Sequence, residues 1–283
     1  MRRIIFTNAA GDSILLGNST PYMITKLEGT GAVQSNIQML KSPFQDGATF
    51  IGTTLEHREI TIEAAIVPKE DVAERRRKLI QILNPKLGTG ILRHENEAGT
   101  LDIKAIADQS PVFPDRQQKG IYQRFLINFV CPDPAWYDPK KERIKLASFV
   151  GGFNFPFRFP INFGRVGQFL KIQNKGDLDT PVFITFAGPL RNPVLENRTI
   201  GKKIIIKQDI PEGERLEINT AFGQKSVVRI QANGNRSNAF HWVSPESQFW
   251  QLIPGVNEIS YASTEEAENA AVTLEFFHRY LGV

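Results

Sequence analysis

Hydrophobic and polar residues alternate along much of the N-terminal half, a pattern that is typical of β-strands. Between residues 56 and 67, Ile60 and Ile62 alternate with Thr61 and Glu63, which gives a strand one apolar and one polar face. Glycine and proline punctuate these runs, and residues 42–47 form a predicted turn. Strands are predicted at residues 14–16, 22–27, 32–39, 56–67, 91–95, 101–106 and 121–130.

One longer helix is predicted to interrupt these strands, over residues 70–83. Its acidic residues precede its basic residues, which is the order that the helix dipole favours. Asp71 and Glu74 have the spacing of a capping box. Pro85 ends the helix, because the residue before a proline is kept out of the helical region. An apolar stripe predicts that the helix lies against a sheet; its members are Val72, Leu79, Ile80 and Leu83.

Four consecutive basic residues, at 75–78, occupy much of the remaining surface of this helix. A basic run of this kind is usually a solvated face. It could also form salt bridges with a neighbouring subunit, in which case Arg76 and Arg77 would contribute to assembly.

Residues 131–139 contain three prolines, each of which lacks a backbone N–H donor. This segment is therefore expected to lie outside a sheet interior, and just beyond it lies the predicted boundary between two domains, residues 1–142 and 143–283. Seven phenylalanines follow within residues 149–169. They would fill the seam between the domains or the second core, or else form a partner-binding patch.

The C-terminal half reads as short strands separated by turns, without a helix. Strands are predicted at residues 169–173, 182–186, 204–207, 215–219, 227–230, 255–261 and 271–277. About seven such strands predict an antiparallel β-sandwich. The expected fold class is therefore mainly β, with an α+β N-terminal half in which strands surround one helix.

Composition excludes several classes of protein. No apolar run is long enough to cross a membrane, and the first residues become polar too early for a signal peptide. The net charge is +4, and the parts before and after residue 142 carry +1 and +3, so neither is expected to bind nucleic acid by charge. One cysteine, Cys131, excludes an internal disulfide and a cysteine-cluster metal site. A soluble protein assembled in a reducing cytoplasm is expected.

The sequence shows no catalytic constellation. Its four histidines lack metal-ligand spacing, and no Gly-x-Ser-x-Gly elbow occurs. A phosphate-binding loop would precede a helix, whereas Gly88 and Gly90 follow the predicted helix. Glu265, Glu266 and Glu268 lie in a polar connection, where solvated charge explains them better than a glycosidase pair does. No catalytic residue, cofactor or metal site is predicted.

Aromatic residues near turns of the second domain leave a binding hypothesis open. His241, Trp242 and Trp250 could form an outward interaction surface, because aromatic faces stack on carbohydrate. The alternative is that residues 249–255 form a strand whose aromatic side chains pack inward. That inward packing is the simpler interpretation.

Several short segments recur in a recognisable order. They are SPFQDGA at residues 42–48, LEHREITI at 55–62, LNPKLG at 83–88 and CPDPAW at 131–136, then NKGD at 174–177, GP at 188–189, NP at 192–193, INT at 218–220 and FWQLIPGVN at 249–257. In combination they resemble the distal tail protein family of siphophages and their prophage relatives. The resemblance spans nearly the whole chain.

The resemblance implies a structural role in a phage tail. Members of the family have an N-terminal belt domain, a β-sandwich with one helix and an extended hairpin, and a C-terminal galectin-like β-sandwich. The belt closes into a homo-hexameric ring that docks on the tail tube protein and carries the tail tip or tail-associated lysin protein. The C-terminal domains point outward and can hold receptor-binding or baseplate proteins. DNA would pass only as cargo, and no membrane insertion is implied.

The resemblance also assigns residues. The belt and its assembly contacts would involve Arg58 and two short segments, namely Phe44, Gln45, Asp46 and Gly47, and the turn that leaves the helix, namely Asn84, Pro85 and Lys86. The protein would assemble in the cytoplasm of the bacterial host and reside in the virion, at the tail tip. The galectin pattern His-x-Asn-x-Arg is missing, which argues against sugar binding.

Two hypotheses compete with a tail hub. A carbohydrate-binding adhesin module would retain host glycans through Trp242 or Trp250. A glycoside hydrolase would require an exposed, essential carboxylate. A ring subunit needs no catalytic group, because the ring only has to close through heterologous interfaces around an axis. The modest, mixed charge of the chain is compatible with the passage of DNA.

Overall fold

The computed structural model describes residues 3–31, 33–67, 71–114, 122–146, 169–263 and 271–283. The chain divides into two compact units, of which unit 1 comprises Met1–Pro139 and Tyr280–Val283 and unit 2 comprises Lys140–Arg279. Some sequence predictions fall outside the described residues. They concern Glu70, the phenylalanines from 149 to 163, and Glu265, Glu266 and Glu268.

The described residues form twenty-three strands, most of them short. Those of unit 1 are β1 (Arg3–Thr7), β2 (Ser13–Gly17), β3 (Tyr22–Glu28), β4 (Ser35–Leu40), β5 (Thr49–Leu55), β6 (Arg58–Ile66), β7 (Gly90–Asn96), β8 (Gly99–Ala107), β9 (Gln123–Cys131) and β10 (Trp136–Tyr137). Those that follow are β11 (Glu142–Leu146), β12 (Leu170–Asn174), β13 (Thr180–Pro181), β14 (Phe183–Ala187), β15 (Val194–Asn197), β16 (Lys202–Ile205), β17 (Arg215–Asn219), β18 (Ser226–Ile230), β19 (Arg236–Asn238), β20 (Gln251–Leu252), β21 (Gly255–Ala262), β22 (Ala271–Phe276) and β23 (Arg279–Tyr280).

In unit 1, nine strands form one sheet in the order β23-β10-β8-β7-β1-β2-β3-β6-β9. The sheet closes because β8 also pairs with β9, with Ile106 opposite Val130 and Ala107 opposite Phe129. Seven strands thus form a barrel whose inward side chains fill its interior. The mainly β class with one helix is confirmed. The expected N-terminal sandwich is wrong, because β9 pairs along both of its edges and leaves one closed sheet.

The helix α1 (Val72–Ile82) packs into the barrel core through Leu79, Ile82 and the adjoining Leu83. The expected capping box is wrong. Asp71 takes the left-handed conformation, with φ 59°, and its side chain makes no capping hydrogen bond. A capping side chain normally projects from an extended backbone, which this residue does not have. No helix in the described part of the chain has the length and apolar character needed to cross a membrane.

The proline-rich segment contains a strand, contrary to the sequence-based expectation. Trp136–Tyr137 lies within the large sheet, with Tyr137 opposite Asp102. The Trp136 side chain is fully buried and donates a hydrogen bond from Nε1 to the carbonyl oxygen of Thr30, at 3.1 Å. The expectation is wrong for these two residues because the three prolines flank them and leave their N–H donors in place.

Unit 2 contains two larger antiparallel sheets. The six-stranded sheet has the order β11-β22-β14-β17-β18-β19 and the four-stranded sheet the order β12-β21-β15-β16. Buried side chains from both sheets, including Phe186 and Ile218 from one and Leu195 and Ile259 from the other, belong to a single core. Two sheets that share one core form the antiparallel β-sandwich that the sequence predicts.

Candidate assembly surfaces

Strands β4 and β5 form a two-stranded sheet of their own, separate from the barrel. Ser35 lies opposite Leu55 and Leu40 opposite Thr49. Nearly every residue of this β4–β5 hairpin is exposed, including the large apolar side chains of Ile37, Met39, Leu40, Phe50, Ile51 and Leu55. A contiguous exposed apolar surface of this kind marks an interaction site.

The apolar side chains of the β4–β5 hairpin project from both of its faces. Met39 and Leu40 are consecutive in the unbulged strand β4 and therefore point to opposite sides of it, yet they are 63% and 59% exposed. Packing one face against the barrel would leave the other face in water. A two-stranded sheet is marginally stable alone, so an exposed hairpin of this kind favours an interaction surface.

The predicted assembly residues 44–47 lie in the loop that joins the two strands of the hairpin. Gln45 organises this loop, because its Oε1 accepts a hydrogen bond from the backbone N–H of Ser42 at 3.1 Å and its Nε2 donates to Thr49 Oγ1 at 3.3 Å. Phe44 has a positive φ of 62° and its side chain is fully exposed. Asp46 and Gly47 are also exposed. These four residues therefore extend the apolar hairpin at its tip.

Arg58, also predicted to be an assembly residue, is buried inside unit 1. Its guanidinium donates to three backbone carbonyl oxygens, from Nε to Pro134 at 2.8 Å, from Nη1 to Gly29 at 2.7 Å and from Nη2 to Leu281. Burial lowers the pKa of Arg58 from its ordinary value. The assignment of Arg58 to an assembly surface is therefore wrong, because its guanidinium is buried and donates hydrogen bonds to segments of its own unit.

The close approach of Gly29 to β6 requires a glycine. Its φ is 84°, and a Cβ at this position would lie 1.9 Å from the carbonyl oxygen of Glu59. Only glycine takes this conformation and this spacing without strain. The position of the carbonyl that Arg58 binds thus depends on a glycine that the sequence alone did not mark as special.

The two arginines singled out on α1 lie in different environments. The Arg76 guanidinium lies over the ring of Phe113, 4.4 Å from its centroid, and Phe113 packs on the barrel core. Arg77 is exposed. Arg76 is therefore engaged within unit 1 by a cation–π contact, while Arg77 is accessible to another molecule.

The turn after α1 is stabilised by its own residues. Asn84 Oδ1 accepts a hydrogen bond from the backbone N–H of Lys86 at 3.1 Å, and Pro85–Leu87 form a short 3-10 turn. Asn84 and Lys86 are exposed and Pro85 is partly buried. The segment is the turn that the sequence predicts. Apart from Arg58, the predicted assembly residues of unit 1 lie on the hairpin loop, the helix and this turn.

The predicted outward surface of unit 2 is only partly exposed. Trp250 is 1% exposed and belongs to the core, so its assignment to an outward surface is wrong and the inward-packing alternative holds. Trp242 is partly buried and lies beneath Arg229, whose guanidinium carbon is 5.2 Å from the ring centroid. His241 is exposed. Without Trp250, the sugar-binding hypothesis lacks half of its stacking surface.

Sequence reasoning did not single out another aromatic surface on unit 2. Phe240, which is exposed, stacks on Phe249 with a centroid distance of 5.6 Å and an interplanar angle of 16°. Lys225 Nζ lies 5.6 Å from the Phe249 centroid, and Phe222 is 90% exposed. In the sequence, these residues show only as aromatic residues beside turns. That pattern does not distinguish an aromatic ring on the surface from one in the core.

The described residues contain no group of three or more His, Cys, Asp or Glu side chains placed to hold a metal ion. The buried His278 instead serves a structural purpose: its Nδ1 accepts a hydrogen bond from the Lys175 backbone N–H at 3.1 Å, and its Nε2 lies 2.8 Å from Glu142 Oε2. This places the ring proton on Nε2.

Family models cover most of the chain. The phage tail protein RIFT-related domain matches residues 10–131, and the C-terminal domain of the siphovirus-type tail component matches residues 175–280. The chain belongs to the distal tail protein family of siphophages. The first match includes the whole β4–β5 hairpin and α1, and the second includes most of the sandwich.

Solved structures of phage tail proteins share this fold. The Dit protein of phage SPP1, described as a paradigm of the hub adsorption apparatus in phages infecting Gram-positive bacteria, matches with a TM-score of 0.69 and 14% identity, over 98% of this chain and 99% of that one. A chain of the phage P2 baseplate in its activated conformation with Ca matches with a TM-score of 0.54 and 12% identity, over 97% and 98%. Curated protein sequences gave no match. The chain is a structural protein of the phage tail or baseplate.

Proposed function

We propose that the chain is the subunit of a homo-hexameric ring at the distal end of a siphophage tail. In this proposal residues 1–142 are the belt domain that forms the ring, and residues 143–283 are a galectin-like domain that faces outward. The ring joins the tail tube protein to the tail tip or tail-associated lysin protein. DNA passes through it as cargo, and the protein has no enzymatic activity.

The β4–β5 hairpin is the observation that carries this proposal. Its apolar side chains are exposed on both faces, and a ring offers each subunit two neighbours that can cover them. A heterologous contact repeated around an axis closes into a ring. The apolar tip at Phe44 lengthens the surface available to the next subunit.

The remaining roles follow from membership of the family. Outward C-terminal domains would carry receptor-binding or baseplate proteins during host adsorption, and assembly would take place in the cytoplasm of the host bacterium. The similarity to the SPP1 protein, which is a hub of an adsorption apparatus, and to a chain of the P2 baseplate supports such partners.

Negative-stain microscopy and multi-angle light scattering of the full chain test the ring directly. The protein is examined alone and mixed with purified tail tube or tail tip protein. We expect rings for the unaltered chain, and monomers of unchanged thermal stability for the double variant Leu40→Glu and Phe50→Glu, whose residues are exposed and are not cross-strand partners. Carboxylates on the hairpin cannot be buried at an apolar contact.

Val256→Glu is the matched control, since Val256 is an exposed apolar strand residue of unit 2. It should retain ring assembly. The proposal is wrong if the unaltered chain stays monomeric at high concentration with both partners present, or if the hairpin double variant still forms rings.

A further inference from the structure

Strand β19 (Arg236–Asn238) is the edge of the six-stranded sheet in unit 2, and all three of its residues are exposed. It pairs with β18 on one side, where Ser237 lies opposite Arg229 and the Ala239 N–H donates to the Val227 carbonyl at 2.9 Å. Backbone groups of successive residues point to opposite sides of an antiparallel strand. The N–H and C=O groups of Arg236 and Asn238 therefore point away from the sheet.

One cleft borders this edge, and a second cleft shares the lining residue Lys225 with it. The first, of about 350 Å³, is lined by residues that include Lys225, Arg236, Asn238 and Phe240. The second, of about 260 Å³, is lined by residues that include Lys202, Phe222, Lys225 and Phe249. Phe240 of the first cleft stacks on Phe249 of the second. The result is a continuous aromatic surface that begins at an open strand edge.

The charge lining these clefts is predominantly positive. Lys202, Lys225 and Arg236 line them, whereas Asp179 is the one acidic residue among the described lining residues. Arg236 is already paired with Glu217, with 2.8 Å between its Nη2 and Oε2. Lys202 and Lys225 form no ion pair with another described residue. An open edge beside apolar rings and ammonium groups that have no carboxylate partner among the described residues therefore favours a partner that carries carboxylates.

We propose that this surface binds an extended, acidic segment of another tail protein, which adds a strand beside β19. The backbone of the segment bonds to the outward groups of Arg236 and Asn238. Its apolar side chains lie on Phe240 and Phe249, and its carboxylates approach Lys225 and Lys202. This mode of recognition combines main-chain hydrogen bonds with side-chain pockets. The inference rests on the proposed function, in which the chain carries other tail proteins.

A second copy of this chain is a poorer occupant of the same edge. Two β19 strands that paired edge to edge would bring Arg236 of each copy, and the adjoining lysines, onto one surface. Like charges facing each other across paired strands are destabilising. A neutral glycan, in turn, would leave the ammonium groups of Lys202 and Lys225 without a counter-charge.

The test uses the full chain and a fluorescent peptide of about ten residues in which Glu and Val alternate, a length typical of a strand with short flanks. The comparison peptide alternates Lys and Val. We expect fluorescence anisotropy to show saturable binding of the acidic peptide and none of the basic one. Lys225→Glu should lower the affinity for the acidic peptide at least about tenfold, because the substitution replaces an attraction between opposite charges by a repulsion between like charges.

Lys207→Glu is the matched control, since Lys207 is an exposed lysine that lines neither cleft. It should leave the affinity unchanged. NMR hydrogen exchange tests the added strand separately, and it does not depend on any variant folding: the acidic peptide should slow exchange of the Arg236 and Asn238 amides. Equal binding of the two peptides, an unchanged affinity in Lys225→Glu, or unprotected amides would each overturn the proposal.

Ring assembly distinguishes this inference from the proposed function. Lys225→Glu leaves the β4–β5 hairpin intact, so it should still form rings. Rings without peptide binding would contradict the docking surface alone, whereas peptide binding by a chain that never forms rings would contradict the ring alone.

Discussion

Arg58 at the start of β6 donates a hydrogen bond from Nη2 to the carbonyl oxygen of Leu281, 223 positions later in the sequence. The same guanidinium also holds the carbonyl oxygens of Gly29 and Pro134. One buried side chain therefore ties four separated stretches of unit 1 together. Removing it would leave three carbonyl groups without this donor, and a buried acceptor that loses its partner is costly.

Replacement of Arg58 by alanine should lower the free energy of unfolding of the protein by about 3 kcal/mol, because buried carbonyl groups lose charged donors and a cavity remains. Urea denaturation followed by circular dichroism measures this change. Arg77→Ala is the matched control, since Arg77 is exposed, and it should change stability by less than about 0.5 kcal/mol. Equal effects of the two substitutions would contradict the joining role of Arg58.

Charge reversal should separate the two helix arginines. Arg76→Glu removes the contact with Phe113 and should destabilise the fold by about 1 kcal/mol, as measured by thermal or urea unfolding. Arg77→Glu should leave stability unchanged. If part of the basic run faces a neighbouring subunit or an attached tail protein, Arg77→Glu will also impair assembly with tail partners. Normal assembly in that variant would identify the run as a solvated face.

The Glu214 carboxylate gives a prediction about pH. Arg229 donates to it from Nε at 2.6 Å and from Nη2 at 2.7 Å, and these bonds hold the pKa of Glu214 below its ordinary value. A lowered folded pKa stabilises the protein above the unfolded pKa of about 4.3. This stabilisation is lost as the pH falls through the folded pKa.

Glu214→Gln should therefore reduce the free energy of unfolding by about 1 kcal/mol at neutral pH. The difference from the unaltered protein should disappear in acid, below the folded pKa. Urea titrations across the acidic range measure it. Glu246→Gln, at an exposed position, is the control and should show no such pH dependence. A difference that persists unchanged in acid would contradict the assigned ion pair.

Cys131 should be unreactive in the folded protein. Its side chain is fully buried at the end of β9, and burial raises the pKa of its thiol to about 12. The thiolate is the reactive form, so alkylation by iodoacetamide at pH 8 should be slow in buffer and fast in urea. Mass spectrometry measures the fraction of alkylated protein under each condition, and the labelled site is unambiguous because the chain has one cysteine. Rapid labelling of the folded protein would contradict the burial.

The alternation of apolar and polar residues predicted the strands that have two well-defined faces. β6 and β9 are of this kind, and their inward residues are buried at every second position. β5 was missed because Phe50 and Ile51 are adjacent, so its sequence does not alternate. β19 was missed because none of its residues is apolar. Both strands now carry the proposed interaction surfaces.

Local sequence was a weaker guide to individual side chains. A tryptophan has the same neighbours in sequence whether it packs inward or outward, so the burial of Trp250 followed only from its packing in the core of unit 2. The arginine at position 58 could not be recognised as buried, because Gly29, Pro134 and Leu281, whose carbonyl groups bind it, are far apart along the chain.

The sequence by itself determined that the protein is mainly β with one helix, because periodicity and turn residues act over a few neighbouring positions. Its short motifs also determined the family. Tertiary structure alone decided that β8 and β9 close a barrel, that Arg58 joins unit 1 from within and that the β4–β5 hairpin exposes both of its faces. These features depend on contacts between residues that are distant in the chain, and no local pattern encodes such contacts.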